Sequence, residues 1–161
     1  MPAIGLNGPE FTDLARWILG GGHWVRFQAR GGSMQPLILD GDILKVAPLL
    51  TKRVHHGDVV LVEAGEGRLL AHRVVKITRS AGEYRYLIKS DVSSNPDGWF
   101  RRDDILGRVE VVERGPHHFK LTAGSHQWKV RAWLSLTPFA ARFTWLPEGF
   151  RRRIRRWLLV D

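Results

Sequence analysis

The stretch Asp58-Val59-Val60-Leu61-Val62-Glu63-Ala64-Gly65-Glu66-Gly67-Arg68-Leu69-Leu70-Ala71-His72-Arg73-Val74-Val75-Lys76-Ile77 decides the fold class. A β-branched run, Val59–Ala64, meets a Gly-Glu-Gly hairpin signal and returns as a second run, Arg68–Ile77. Upstream, His56-Gly57-Asp58 repeats the pattern of Asp40-Gly41-Asp42, each a polar turn feeding an apolar run, the earlier one Ile43–Ala47. His23–Ala29 alternates Val25, Phe27 and Ala29 against Trp24, Arg26 and Gln28, as a half-buried strand does. Downstream, Tyr84–Lys89, Ile105–Glu113 and Phe119–Thr122 read as further strands, with a polar loop over Ser90–Gly98. Strands at turn spacings of about ten residues, with little helix between them, predict a mainly β body of barrel or sandwich type. Before it, Phe11, Leu14, Trp17 and Ile18 fall at helical spacing over Pro9–Leu19, with Gly20-Gly21-Gly22 as the stop.

Composition bounds the rest. The 161 residues suit one domain with an appendage, and 43% hydrophobic with 25% charged residues excludes a disordered chain. No apolar run approaches the ~18 residues that cross a bilayer. Met1–Gly5 lacks the basic start and apolar stretch of a secretory signal, so the cytoplasm is the expected compartment. Without cysteine there is no disulfide framework and no thiol nucleophile. The net charge of +9 is uneven: residues 1–119 hold 16 basic against 14 acidic side chains, residues 120–161 hold 9 against 2. Trp128, Trp133, Trp145 and Trp157 lie in that basic tail, where Thr137-Pro138 and Pro147-Glu148 read as helix starts. The expected organisation is a helix over 1–22, a β catalytic body over 23–122 and basic, Trp-rich amphipathic helices over 123–161.

Serine hydrolysis requires a hydroxyl at an exposed turn, a base in reach of it, a group that orients the base, and donors for the oxyanion. Ser33 follows Gly31-Gly32, where bare backbone can approach a substrate carbonyl, and Pro36 keeps the next segment from pairing freely. His72 shares a strand face with Leu70 and Val74 and is the candidate base, although a histidine among apolar neighbours is more often a hydrogen-bonded core residue. Asp91 and Asp97 flank a loop able to return to that edge and orient the ring, although such polar loops are usually solvated turns.

Taken in order, Ser33-Met34-Gln35-Pro36, Asp40-Gly41-Asp42, Gly57-Asp58-Val59-Val60 and His72-Arg73-Val74-Val75 resemble the signature series of type I signal peptidases. Lys89-Ser90-Asp91 with Asn95-Pro96-Asp97, and Ile105-Leu106-Gly107-Arg108-Val109, resemble the later motifs of that family, so the likeness covers about residues 24–113. Histidine at position 72 is similar to the archaeal, endoplasmic-reticulum and spore-former branch; the common bacterial enzymes and the related LexA-type self-cleaving repressors carry lysine there. The resemblance implies Ser33 as nucleophile, His72 as general base and Asp97 as the carboxylate that orients it. It gives Asp91, Gly32 and Met34 supporting roles. It also implies cleavage after small residues of a peptide that adds a strand to a sheet edge. A neutral imidazole is ordinarily abundant at pH 7, whereas a lysine base must first be desolvated, so a rate rising between about pH 6 and 8 is expected. Three departures stand out. The membrane-spanning segment is missing, Ser90 replaces a glycine, and Gly31 stands where the bacterial enzymes have an oxyanion-hole hydroxyl, leaving Ser33 N–H and neighbouring backbone to serve.

The expected partner is a polypeptide held in extended form, and no cofactor is expected. The pairs His55-His56 and His117-His118 point to opposite strand faces and make no chelate, so no metal is expected either. The tail, residues 128–161, reads either as helices packed on the body or as an interfacial helix on an anionic membrane surface, which would make the protein peripheral to the membrane. Nucleic acid is not expected as a partner, for no base-reading motif accompanies the arginines. Two other function classes stay open: a self-processing or dedicated cytoplasmic maturation protease, and a non-catalytic adaptor that keeps the fold.

Overall fold

The computed structural model describes residues 8–50, 52–65 and 67–121. The expected helices of the tail and its membrane role fall outside them. One helix, α1 (Gly8–Gly20), precedes eight strands: β1 (Val25–Gln28), β2 (Ile43–Pro48), β3 (Val59–Glu63), β4 (Leu69–Ser80), β5 (Glu83–Lys89), β6 (Gly98–Arg101), β7 (Ile105–Arg114) and β8 (His117–Lys120). All the pairings are antiparallel and join the strands into one curled sheet, in the order β1-β2-β7-β3-β4-β5-β6, with β8 also on β7. The mainly β expectation holds. Among the described residues no helix is long and apolar enough to cross a membrane.

The run Val59-Val60-Leu61-Val62 is apolar throughout because β3 is buried on both faces. Val59 and Leu61 enter one core with Leu44, Val46, Val109 and Val112; Val60 and Val62 enter a second with Val74, Tyr86, Ile88 and Ile105. Burying such a side chain contributes roughly 1.5–3 kcal/mol, which explains why the least polar strand sits in the middle of the sheet.

Helix α1 caps the first core, but not with the predicted stripe. Its buried residues are Thr12, Ala15 and Leu19, flanked by the partly buried Phe11 and Ile18, while Trp17 is 76% and Leu14 39% exposed. Apolar residues lie on both sides of the helix, Leu14 and Trp17 outward and Phe11, Ala15 and Leu19 inward, so hydrophobicity alone does not choose the inward face. Close approach at Ala15, the edge-to-face contact of Phe11 with Phe27 at 5.1 Å, and the Thr12 hydroxyl bonded to the Gly8 and Gly67 carbonyls choose it. The helix ends in a Schellman turn, with His23 N–H donating to Ile18 O and Gly22 N–H to Leu19 O; Gly22, at φ +83°, takes the left-handed position.

Two details set the stage for the site. Strand β4 is used in halves: Leu69–Arg73 pair with β3, and Arg73–Ser80 pair with β5 on the opposite edge. The outer edge of Leu69–His72 therefore has no strand beside it among the described residues. The same is true of β1, the last strand of the sheet. Strand β6, with Trp99 and Phe100, was not expected; it follows the polar loop directly and pairs with β5, which fixes where that loop ends.

Candidate active site

Ser33 lies in the turn after β1, and His72 is the last residue of β4 before β5 joins it. Thirty-nine residues apart in sequence, they meet: His72 Nε2 is 2.9 Å from Ser33 Oγ. His72 Nδ1 is 2.8 Å from Asp97 Oδ2. With a carboxylate at Nδ1, that nitrogen carries the ring proton in the neutral tautomer, and Nε2 is left to accept the serine O–H. The ring is 7% exposed, and the Asp97 carboxylate reaches it from the end of the polar loop, where Asp97 N–H donates to Ile88 O. These three sequence candidates are in hydrogen-bond contact.

Asp91 is not part of that chain. It is buried and takes a two-pronged bond from Arg73, at 2.8 Å from Nε and 2.6 Å from Nη2, while Arg73 Nη1 donates to Gly57 O at 2.9 Å. By residue pattern both aspartates are candidates and the resemblance assigns the ring to Asp97; in the structure Asp97 touches the histidine and Asp91 ties the loop to β4. Val92 N–H completes the tie by donating to Ser33 O at 3.3 Å. Arg73 had no assigned role in the sequence reading, though its place beside His72 was visible. Alternation sends the two side chains of consecutive strand residues to opposite faces, one to the serine and the other to the loop's anchor.

The turn around the serine is held from several sides. Gly31 N–H donates to Asp40 Oδ1 at 2.7 Å, Gln35 N–H to Gly32 O and Ile38 N–H to Met34 O. Met34 is buried in the first core and pins the turn from below. A Cβ at Gly32 would meet the Gln35 carboxamide nitrogen at 2.8 Å, so the Gln35 side chain would have to swing aside. The N–H of Ser33 has no acceptor among the described residues, so it is available to an oxyanion.

The two Gly-Asp turns prove structural, and alike. Asp42 accepts from Leu39 N–H and Asp58 from His55 N–H, each three residues back; each then pairs with an arginine of β7, Asp42 with Arg114 and Asp58 with Arg108. Burial disfavours the Arg108 cation, but the hydrogen bond to Glu110 and the charges of Asp58 and Glu110 outweigh it, and its pKa is raised.

Between the free edges of β1 and β4 runs a groove of about 1230 Å³ that contains Ser33 and His72. Its floor is Leu44, Leu61, Ile38 and Met34, its walls are residues 24–31 and 67–72, and α1 covers part of it through Pro9, Phe11, Leu14 and Ile18.

The sequence matches the family model described as Peptidase S24-like over residues 8–109, well over half of the chain, and the protein belongs to that family. Membership supports a serine peptidase-type hydrolase, of the protease or self-cleaving kind. No curated protein matches the chain significantly.

Proposed function

We propose that this protein is a serine endopeptidase of the signal peptidase type, with Ser33 as nucleophile, His72 as general base and Asp97 orienting the imidazole. The observation that carries the reading is the unbroken Oγ–Nε2 and Nδ1–Oδ2 contact, 2.9 and 2.8 Å, at the end of an open groove. In the first step Nε2 takes the serine proton as Oγ bonds to the scissile carbonyl carbon, and the oxyanion accepts from Ser33 N–H. The imidazolium, held by Asp97, then gives that proton to the leaving nitrogen as the C–N bond breaks. Water repeats the sequence on the acyl ester and frees the serine.

The free edges suggest how substrate binds. Strands β1 and β4 point the same way in the sheet, both toward the catalytic pair, and the outer edges of β1 and of Leu69–His72 pair with no strand among the described residues. An extended peptide laid between them has a ladder partner on either side. Selection of small residues at the cut, and the histidine branch of the signal peptidases, are carried by the resemblance of the motifs around Ser33, His72 and Asp97. Self-cleavage is the second reading, supported by the family match, and the intact mass of the stored chain tests it.

The main test is labelling of the wild type and His72→Ala with a serine-directed electrophile, with the adduct located by peptide mass. The expected result is an adduct on Ser33 in the wild type alone. An adduct elsewhere, or labelling of Ser33 that ignores His72, overturns the assignment.

A further inference from the structure

The groove is charged on one side of the ledger. Arg26, Arg30 and Arg68 line it, and no aspartate or glutamate does so among the described residues. Arg26 is spent, for Glu113 accepts from its Nε and Nη2 at 3.1 and 2.7 Å. Arg30 and Arg68 are exposed and pair with no carboxylate among the described residues. The near balance of charge through residue 119 makes this a local feature of the groove rather than a reflection of the basic tail.

Position sharpens it. Arg68 precedes His72 by four residues along the same strand path, so with period-two alternation it shares the face that carries Leu70 and the catalytic ring. Four residues of extended chain span about 13 Å. A peptide laddered beside β4 with its scissile bond at Ser33 sets the side chain four positions away beside Arg68. Arg30 stands on the opposite wall, three residues before the nucleophile. The apolar floor of Leu44, Leu61 and Met34 lies on the other face of β4, that of Leu69 and Ala71, so alternate side chains of the peptide meet it while the one beside Arg68 meets the guanidinium.

We infer that the groove selects an extended, mostly apolar segment carrying an aspartate or glutamate about four residues from the bond that is cut, with Arg68 reading that carboxylate. This rests on the peptidase reading and names its substrate more narrowly. Arg68 is a specificity residue and takes no part in the bond-breaking steps.

The test uses the full chain with Ser33→Ala, which keeps the groove and stops turnover. Fluorescein-labelled Ala-rich decapeptides carry Glu, Gln or Lys four positions to either side of a central Ala-Ala, and binding is followed by anisotropy. The Glu peptide of one of the two sets is expected to bind about fivefold tighter than its Gln twin, with Lys weaker still and the differences shrinking as salt rises. Adding Arg68→Glu is expected to reverse the order, and a thermal melt confirms that this exposed change leaves the body folded. Equal affinity for Glu, Gln and Lys, an order unmoved by Arg68→Glu, or no binding by any peptide overturns the inference. An adduct on Ser33 without acidic preference sinks this inference alone. Acidic preference without an adduct sinks the catalytic reading and leaves the selectivity standing.

Discussion

Four aspartates of the body accept bonds from cationic or titratable side chains, and they divide into two regions. Away from the histidine, in the turns and the loop anchor, Asp42, Asp58 and Asp91 each face an arginine, namely Arg114, Arg108 and Arg73. At the groove Asp97 faces His72, and its side chain is 24% exposed, against 1% for Asp91. An arginine stays charged at every accessible pH, so its pairs are fixed struts. A histidine gains and loses its proton near neutrality, so the same carboxylate chemistry placed beside it stabilises a charge that comes and goes during a reaction. The two kinds of pair are told apart here by the cation, and not by the aspartate.

The largest expected effect separates the two regions outright. Ser33→Ala or His72→Ala should lower cleavage by about 10³-fold or more, while the urea unfolding of Ser33→Ala stays close to wild type, since that change strands no charge. Asp97→Asn should follow at roughly 10²–10⁴-fold, because the amide no longer holds the ring in the useful tautomer or stabilises the imidazolium. A loss of stability as large as the loss of activity would erase the distinction between the regions.

At the struts the expectation inverts. Asp91→Ala leaves the Arg73 guanidinium, itself 2% exposed, without its partner, and removal of one member of a buried pair costs about 3–5 kcal/mol. Urea denaturation should show it. The double change Arg73→Met with Asp91→Leu should recover much of the loss, because no charge is then stranded. Failure of the double variant to recover stability would mean that the Gly57 and loop contacts, rather than the charge pair, carry the effect. Asp42→Ala should cost less, since Arg114 is 24% exposed and water replaces part of the lost bond.

The smallest effect lies at Glu113. Hydrogen bonds from Arg26 and Lys45 outweigh its burial and hold its pKa down to about 2, against an ordinary 4.5. Because the folded value is the lower one, the stabilisation is complete above pH 4.5 and fades as the pH falls from there through about 2. Glu113→Gln should flatten that part of the curve of melting temperature against pH. An unchanged acid limb would place the acid sensitivity in the strut aspartates instead.

Much of the site could be read along the chain. Gly31-Gly32-Ser33 announces an exposed hydroxyl because glycine clears the space beside it, and the ordered motifs join Ser33 to His72 and Asp97. The strands announce themselves as β-branched runs between glycine turns. Asp91 and Asp97, six residues apart in one polar loop, are equivalent by residue pattern; the family resemblance assigns the ring to Asp97, and the return of that loop over β4 puts Asp91 on Arg73 and Asp97 on His72. The inward face of α1 was misread for a related reason: Trp17 and Leu14 are as apolar as any core residue, but the small Ala15 is what permits the helix to lie close.

Residue patterning alone thus established the β class and every strand but β6, because patterning is a property of neighbours, and it was the ordered motifs, through the family they resemble, that named Ser33, His72 and Asp97. Tertiary structure decided that β1 and the first half of β4 leave facing free edges, that arginines line the groove between them, and which carboxylate serves which cation. Those depend on how a twisted sheet curls and which edges its pairings use up, and no stretch of neighbouring residues contains that information.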